Sequence, residues 1–186
     1  MRIFLAAEFS REVRKDLFVI SSRKLQHAAP LGRCVLEENL HLTLVFLGET
    51  GTETIAVLTH QLRKLLAARR SISLQISGMG AFPDAVNPRV LWAGVQQPNE
   101  HLSSLQRDVE RVCKEIGFSF DARPFHPHIT LMRCSRKQGD VSHIIESCQE
   151  NIRFEAVISS VVLFASQSLP DGRSRYTPIA IYPLGS

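Results

Sequence analysis

A short string of residues occurs twice in this chain of 186 residues, and the repeat constrains the fold more than any other feature. The first copy is His41-Leu42-Thr43-Leu44, and the second, 87 residues later, is His128-Ile129-Thr130-Leu131. Each copy stands at the same place in a repeated order of predicted strands and helices. An internal repeat indicates two similar halves, here about 1–84 and 85–186, of one bilobal domain. The two strands are predicted to present their histidines and threonines to a shared groove.

The periodicity of the apolar residues predicts strand, helix, strand, helix and strand in each half. Ser10 predicts the start of a helix, Gly48 the end of a strand and Gly117 the end of another helix. The run FPDAVNPR at 82–89 predicts a loop between the halves. The predicted strands cover 2–9, 38–49, 71–82, 89–95, 125–133, 152–166 and 172–184, and the predicted helices cover 10–27, 52–69, 98–116 and 139–150.

The run HPHITLMR, residues 126 to 133, carries polar residues on alternate positions of a strand-like segment. Side chains of a strand alternate between its two faces, so His126, His128 and Thr130 share one face, and Ile129 and Leu131 share the other. A face that only packs a core does not normally consist of imidazoles and a hydroxyl. The repeated histidines and threonines therefore mark a candidate functional site.

Composition and charge exclude several classes of protein. Lys and Arg exceed Asp and Glu by a net charge of +4, which is compatible with a phosphate-bearing substrate but too weak for a protein that wraps duplex DNA. The N-terminus has no signal-peptide pattern, and no run approaches the ~18 apolar residues of a membrane helix. The four cysteines show no C-x-x-C pairing, so we expect a cytoplasmic chain with reduced thiols.

The twin H-x-T strings, with the second inside RPFHPHITLMR, resemble those of the two-histidine phosphoesterases. The strings RIFLAAEF, NLHLTLVFLGE, RVLWAGV and GRSRYTPI extend the resemblance over nearly the whole chain, to the RNA 2′,3′-cyclic phosphodiesterases, also called 2′-5′ RNA ligases. This resemblance implies a bilobal α+β fold, in which two antiparallel-rich sheets face a central cleft and the helices lie outside.

The resemblance also implies the activity of an RNA 2′,3′-cyclic 3′-phosphodiesterase, with a 2′-phosphomonoester as product and reversible 2′-5′ RNA ligation as a further reaction. It assigns His41 as proton donor and His128 as proton acceptor, with no cofactor and no metal. The implied partners are RNA ends or small nucleotides with a cyclic phosphate, and neither a membrane nor duplex DNA. The chain is expected to act as a monomer.

The chemistry of the residues is consistent with that activity. Histidine titrates near neutral pH, so one neutral and one protonated imidazole can stand on opposite sides of a phosphate as base and acid. Sequence alone does not say which of His41 and His128 is the base. The hydroxyls of Thr43 and Thr130 are candidates to donate to the non-bridging oxygens, where charge develops in the transition state.

Other residues are further candidates for substrate binding. His126 shares the predicted face of His128, whereas Asn39 stands at the corresponding position of the first half. Arg133 matches the H-x-T-L-x-R pattern of the family as a phosphate contact, although a regular strand would turn it away from His128. The remaining candidates are Arg123, Arg173, Arg175 and Tyr176. Trp92 and Phe46 could stack a base, although we expect both to pack in the core.

Two alternative functions come from other classes of protein. His41, His126 and His128 would supply three nitrogen ligands to zinc in a metal-dependent phosphohydrolase. That interpretation leaves the paired threonines and the repeat unexplained. A non-catalytic module that holds RNA ends is the second alternative, and the intact pair of histidines argues against it.

Overall fold

The computed structural model describes residues 1–120, 124–135, 139–149 and 152–185. Within these residues the helices are α1 (Arg11–Lys24), α2 (Thr52–Ala67), α3 (Glu100–Glu115) and α4 (Ser142–Cys148). The strands are β1 (Arg2–Phe9), β2 (Gly32–Cys34), β3 (Leu42–Glu49), β4 (Ile72–Phe82), β5 (Val90–Val95), β6 (His128–Cys134), β7 (Arg153–Ser168) and β8 (Ser174–Pro183).

Local sequence signals set the ends of the helices. The Ser10 side chain accepts a hydrogen bond from the backbone N–H of Val13 at 3.4 Å, as expected of an N-cap. Gly117, with φ of 104°, follows the end of α3 in a conformation that favours glycine. Helix α1 ends at Lys24 and not near residue 27, because residues 26–31 form a 3-10 turn that contains Pro30.

All pairings between the strands are antiparallel, and the α+β fold is confirmed. Strands β3, β1, β7 and β8 form one group in that order, and β2, β6, β5 and β4 form the other. The long strand β7 pairs with β4 along its first residues and with β8 along its last, and Leu42 of β3 pairs with Ile129 of β6. The two groups are therefore parts of one hydrogen-bonded sheet.

The two groups of strands do not follow the two halves of the sequence. Strands β7 and β8 come from the second half but extend the group that contains β1 and β3. Strand β4 comes from the first half but pairs with β5. Each group therefore contains strands from both halves of the sequence. The repeat is visible mainly in β3 and β6, the two strands that carry the H-x-T strings.

The core lies between the sheet and the helices. Helix α2 buries Ile55, Leu58, Leu62 and Leu66, which recur at the three- and four-residue spacing of one helical face. Leu42 and Ile129 are 0% exposed and belong to the same apolar cluster. Each fully buried side chain of this size contributes about 1.5–3 kcal/mol. The alternate residues of β3 and β6 face away from this core and are available for the site.

Several predicted boundaries were wrong, each for a physical reason. Strand β3 begins at Leu42 and not at residue 38, because residues 37–39 form a 3-10 turn. Strand β6 begins at His128, so Phe125 and His126 lie outside it. Gly48 does not close β3; it lies within the strand at φ of 71°, beside a β-bulge where Ile3 and Phe4 pair with Gly48 and Phe46. Strand β2 was not predicted.

No helix in the described ranges is long and apolar enough to cross a membrane. The four cysteines, Cys34, Cys113, Cys134 and Cys148, are free thiols.

Candidate active site

The two H-x-T strings lie side by side on neighbouring strands. The antiparallel pairing of Leu42 with Ile129 sets the register, which places His41 beside Thr130 and Thr43 beside His128. Because Leu42 and Ile129 point into the core, the two histidines and two threonines share the opposite face. The fold thus gathers these four predicted site residues within one small area of the sheet.

Both imidazoles are held in the same way by the backbone. Nδ1 of His41 lies 2.7 Å from the carbonyl oxygen of Asn39, and Nδ1 of His128 lies 2.8 Å from that of His126. A carbonyl only accepts, so Nδ1 carries the hydrogen in each ring and Nε2 is left for chemistry. Nε2 of His41 is 3.1 Å from the Thr43 hydroxyl. In each case the holding carbonyl belongs to the residue two positions earlier.

Different aromatic side chains surround the two imidazoles. The ring of His41 lies 5.0 Å from that of Phe4 and 5.4 Å from that of Tyr176. The ring of His128 lies 5.0 Å from that of Phe82 and 6.2 Å from that of Trp92. These centroid distances are those of packed aromatic pairs. The repeated motif is therefore set in two unlike pockets.

Burial lowers the pKa of His41 to about 4, although the hydrogen bond to the Asn39 carbonyl acts in the opposite direction. Burial also lowers the pKa of His128, against the effect of the His126 carbonyl. Positive charge on Arg133 lowers the pKa of both rings further. The protein surroundings therefore favour neutral imidazoles, and a bound anion would act in the reverse direction.

A cavity of about 520 Å³ opens beside His41 and Thr130. Its lining includes residues 29–30 and 32–36 around β2, and residues 171–174 at the tip of the β7–β8 hairpin. Such a volume is in the range of small-molecule sites. A smaller cavity of about 240 Å³ adjoins it and shares Arg133, Ser174 and Tyr176.

Arg133 reaches both cavities because β6 is irregular. On β5, Trp92 pairs with Thr130 and the next residue, Leu91, pairs with Met132, so a β-bulge absorbs one residue of β6. The bulge reverses the alternation, and Arg133 emerges on the same face as Thr130. A regular strand would turn Arg133 away from His128, and the bulge is the reason that it does not.

The other candidates are more widely distributed. His126 is exposed, its ring lies 4.9 Å from that of Trp92, and its carbonyl is the group that contacts His128. Arg173 and Tyr176 line the larger cavity, whereas Arg175 is exposed on β8, on the strand face opposite Tyr176. Arg123 lies outside the described residues.

Two expectations about aromatic residues need correction. Phe46 is 64% exposed and lines the smaller cavity, so its expected place in the core was wrong. Trp92 is half-buried and pairs in register with Thr130, so it faces the site. Its ring lies over Gly80, where an added Cβ would stand 2.2 Å from a ring carbon.

Sequence patterns carry no signal for Arg33, which lines the larger cavity from β2. A strand of three residues, Gly32 to Cys34, is too short for a periodic pattern.

The geometry of the histidines does not support the zinc alternative. Among the described residues, no group of three His, Cys, Asp or Glu side chains is close enough to hold one metal ion, so His41, His126 and His128 do not form a ligand set.

The resemblance that the twin H-x-T strings indicate, to the RNA 2′,3′-cyclic phosphodiesterases or 2′-5′ RNA ligases, is confirmed. The chain belongs to the 2'-5' RNA ligase superfamily, whose family model matches residues 10–168.

Several curated relatives carry the name RNA 2',3'-cyclic phosphodiesterase. The Escherichia coli protein is 32% identical over 186 residues, which cover 98% of this chain and 96% of that protein. The Geobacillus stearothermophilus protein is 30% identical over 97% of this chain, and the chain spans only 56% of that longer relative.

Solved structures agree with the family assignment. Escherichia coli LigT complexed with 3'-AMP is similar at a TM-score of 0.76 and 27% identity, over 100% of this chain and 98% of LigT. A protein of Thermus thermophilus gives a TM-score of 0.77 at 25% identity, over 99% of this chain and 98% of that one.

Proposed function

We propose that this chain hydrolyses the 2′,3′-cyclic phosphate at the end of an RNA strand or of a small nucleotide, and releases a 2′-phosphomonoester. The observation that carries the proposal is the pair of H-x-T motifs on adjacent antiparallel strands, with each Nδ1 tied to a carbonyl and each Nε2 left for proton transfer. The names of the relatives, which include E. coli and G. stearothermophilus phosphodiesterases, support the same reaction. Because one chain supplies both motifs, the site needs no second copy and the chain acts as a monomer.

His41 donates a proton to the leaving oxygen and His128 accepts one from water. The water oxygen attacks phosphorus as its proton passes to Nε2 of His128, and the bond from phosphorus to O3′ breaks as O3′ takes the proton of His41. The cavity beside His41 supports this order, because the leaving O3′ belongs to the nucleoside, which needs that space. The ring of His128 lies against Phe82 and Trp92, where a water molecule needs little room.

Burial of His41 acts against its role as a donor, since a group with a pKa of about 4 is neutral at pH 7. The substrate resolves this conflict. An anionic phosphate next to the ring favours the imidazolium and raises the pKa of His41 in the complex. At pH 7 the donor is thus neutral in the free protein and becomes charged when substrate binds.

The threonine hydroxyls and Arg133 hold the non-bridging oxygens of the phosphate. Thr43 and Thr130 stand beside His128 and His41 in the register, so each oxygen can meet a donor next to a reacting proton. The Arg133 guanidinium, which no described carboxylate pairs with, offsets the charge that develops in the transition state. The exposed ring of His126 is a further candidate for contact with the strand.

Ligation would be the same transfer with a different acceptor. If the 5′-hydroxyl of an RNA takes the place of water, the same P–O3′ bond breaks and a 2′-5′ linkage forms. LigT of E. coli has been crystallised with 3'-AMP, ATP, NADP+ and phosphate, and this range of ligands supports a site that accepts nucleotides. A binding module without turnover would have no use for two imidazoles that are both fixed through Nδ1.

The test is to incubate an RNA that ends in a 2′,3′-cyclic phosphate with the protein in EDTA and to identify the product. We expect a 2′-phosphate, with losses of about 10²–10⁴-fold in His41→Ala and in His128→Ala. The double variant should lose much less than the product of the two, because the pair acts as a unit. Chelator-sensitive turnover restored by zinc would favour the metal-dependent alternative.

A second experiment separates the acid from the base. A nucleoside 4-nitrophenyl phosphodiester releases nitrophenolate, which leaves without a proton. His41→Ala should therefore lose far less activity on this ester than on the cyclic phosphate, whereas His128→Ala should lose similar amounts on both. The opposite pattern would reverse the two roles.

A further inference from the structure

Two arginines face each other across the strand pair β2–β6. Arg33 and Arg133 are direct partners in the register, and both line the cavity of about 520 Å³. Like charges directly opposite one another destabilise an antiparallel pair. A third arginine, Arg173, lines the same cavity from the tip of the β7–β8 hairpin. Repulsion between these positive charges destabilises the protein when no ligand is bound. A bound anion would remove that repulsion.

The carboxylate in the cavity does not neutralise this pair. Among its described lining residues, Asp171 is the one acidic side chain. Its carboxylate accepts the backbone N–H of Arg173 at 2.9 Å and lies 3.7 Å from the Nε of the same residue. Arg33 instead donates from Nη1 to the backbone carbonyl of Asp171 at 2.5 Å, which is an uncharged acceptor. The charges of Arg33 and Arg133 are therefore available to a ligand.

The arginine pair lies beyond the place of the reacting phosphate. The H-x-T motifs are centred on the pairing of Leu42 with Ile129, and Arg33 pairs with Arg133, four residues further along β6. Because the bulge absorbs one residue of β6, the arginine pair lies three residue spacings from the centre of the H-x-T motifs. At about 3.3 Å per residue, the separation is roughly 10 Å. One phosphate group does not span that distance, although Arg133 can bend back towards the imidazoles.

We propose that Arg33 forms a second anion subsite that binds the phosphodiester next to the terminal cyclic phosphate of a single RNA strand, while Arg133 bends back to the reacting phosphate. This inference rests on the proposed function and extends it to the choice of substrate. An arginine fork suits a phosphodiester because it offers two parallel donors. The strand would run from His41 past Arg33 towards the hairpin tip, so the enzyme prefers an oligonucleotide to a mononucleotide.

The experiment compares kcat/KM for two substrates, adenosine 2′,3′-cyclic phosphate and a trinucleotide that ends in the same group. We expect the wild-type protein to prefer the trinucleotide, and Arg33→Gln to reduce that preference about tenfold, the worth of one hydrogen bond to a charged group. Glutamine retains a donor for the Asp171 carbonyl and removes the charge. For the trinucleotide, the slope of log(kcat/KM) against log salt should become shallower by about 0.7, as for one lost contact to a single strand.

Matched variants make the result decisive. Arg107→Ala removes an exposed arginine from α3, outside both cavities, and should keep the wild-type preference. Arg33→Lys retains the charge, so this variant should keep most of the preference for the trinucleotide. The melting temperature of each variant shows whether it is folded. An unchanged preference in Arg33→Gln, or no preference in the wild-type protein, would overturn the subsite. No turnover of either substrate by the wild-type protein would instead contradict the proposed function.

Discussion

The dependence of kcat/KM on pH tests the electrostatics of the site directly. This parameter reports the ionisation of the free enzyme, in which burial lowers the pKa of His41 to about 4 and also lowers that of His128. The active form has one neutral and one protonated ring, so the profile is bell-shaped. Its maximum must lie between two lowered values, and therefore below pH ~6.5, the value of an unperturbed histidine.

The profile of kcat should lie at higher pH than that of kcat/KM. In the complex the phosphate adds an opposite charge near both rings, and such a charge shifts a pKa by about 1–3 units towards the charged form. The difference between the two profiles measures how far substrate binding charges the donor. The apparent values belong to the coupled pair and not to either ring alone.

The assay follows conversion of a cyclic mononucleotide between pH ~4 and ~9, a range that brackets the ordinary histidine value. A control is needed, because a buried neutral His41 also links folding to pH. Its folded pKa lies below the unfolded value, so its contribution to stability is complete above pH ~6.5 and is lost as the pH falls towards about 4. Aliquots returned to pH ~6.5 must therefore recover full activity. A maximum of kcat/KM above pH ~7, or coincident profiles, would refute this account of the site.

The remaining predictions concern the donors and the wall of the site. Thr43→Val and Thr130→Val remove a hydroxyl but keep the branched shape, so each should raise the barrier by about 1.5–3 kcal/mol in a kcat/KM assay. Melting temperatures that fall alongside activity would make these hydroxyls structural. Gly80→Ala places a Cβ where the ring of Trp92 lies and should displace it, whereas Gly51→Ala meets nothing within 4 Å and serves as the control. Because Trp92 is the only tryptophan, its fluorescence emission should shift in the first variant alone; an unshifted spectrum would contradict the packing.

Sequence patterns predicted the features that depend only on neighbouring residues in the chain. The H-x-T strings identified the two strands and the residues that share a face, and Ser10 and Gly117 marked the ends of helices. The face of Arg133 was not predictable, because the bulge in β6 depends on how that strand pairs with β5. Strand β2 has three residues and is recognisable only through its pairing with β6, so Arg33 carries no local signal.

The same distinction applies to the partners of the histidines. The Asn39 and His126 carbonyls hold the two rings, but every residue has a carbonyl, so its role depends on the turn before each strand and not on the side chain. Phe46 was expected to pack in the core. The bulges between β1 and β3 place it instead at the mouth of a cavity.

The repeated motif alone does not determine which histidine acts as the acid and which as the base. Two identical motifs in identical surroundings would have equal pKa values, and nothing would decide which ring holds the proton. The residues that do not repeat supply the difference: His41 adjoins a nucleotide-sized cavity beside Tyr176, whereas His128 lies against Phe82 and Trp92. Environments that differ in this way drive the pKa values of paired groups apart, and unequal pKa values allow two like residues to take opposite roles. In the protein alone, burial lowers the pKa of His41 to about 4, which does not favour it as the donor, so its proposed role rests on the cavity that offers the leaving nucleoside room beside it.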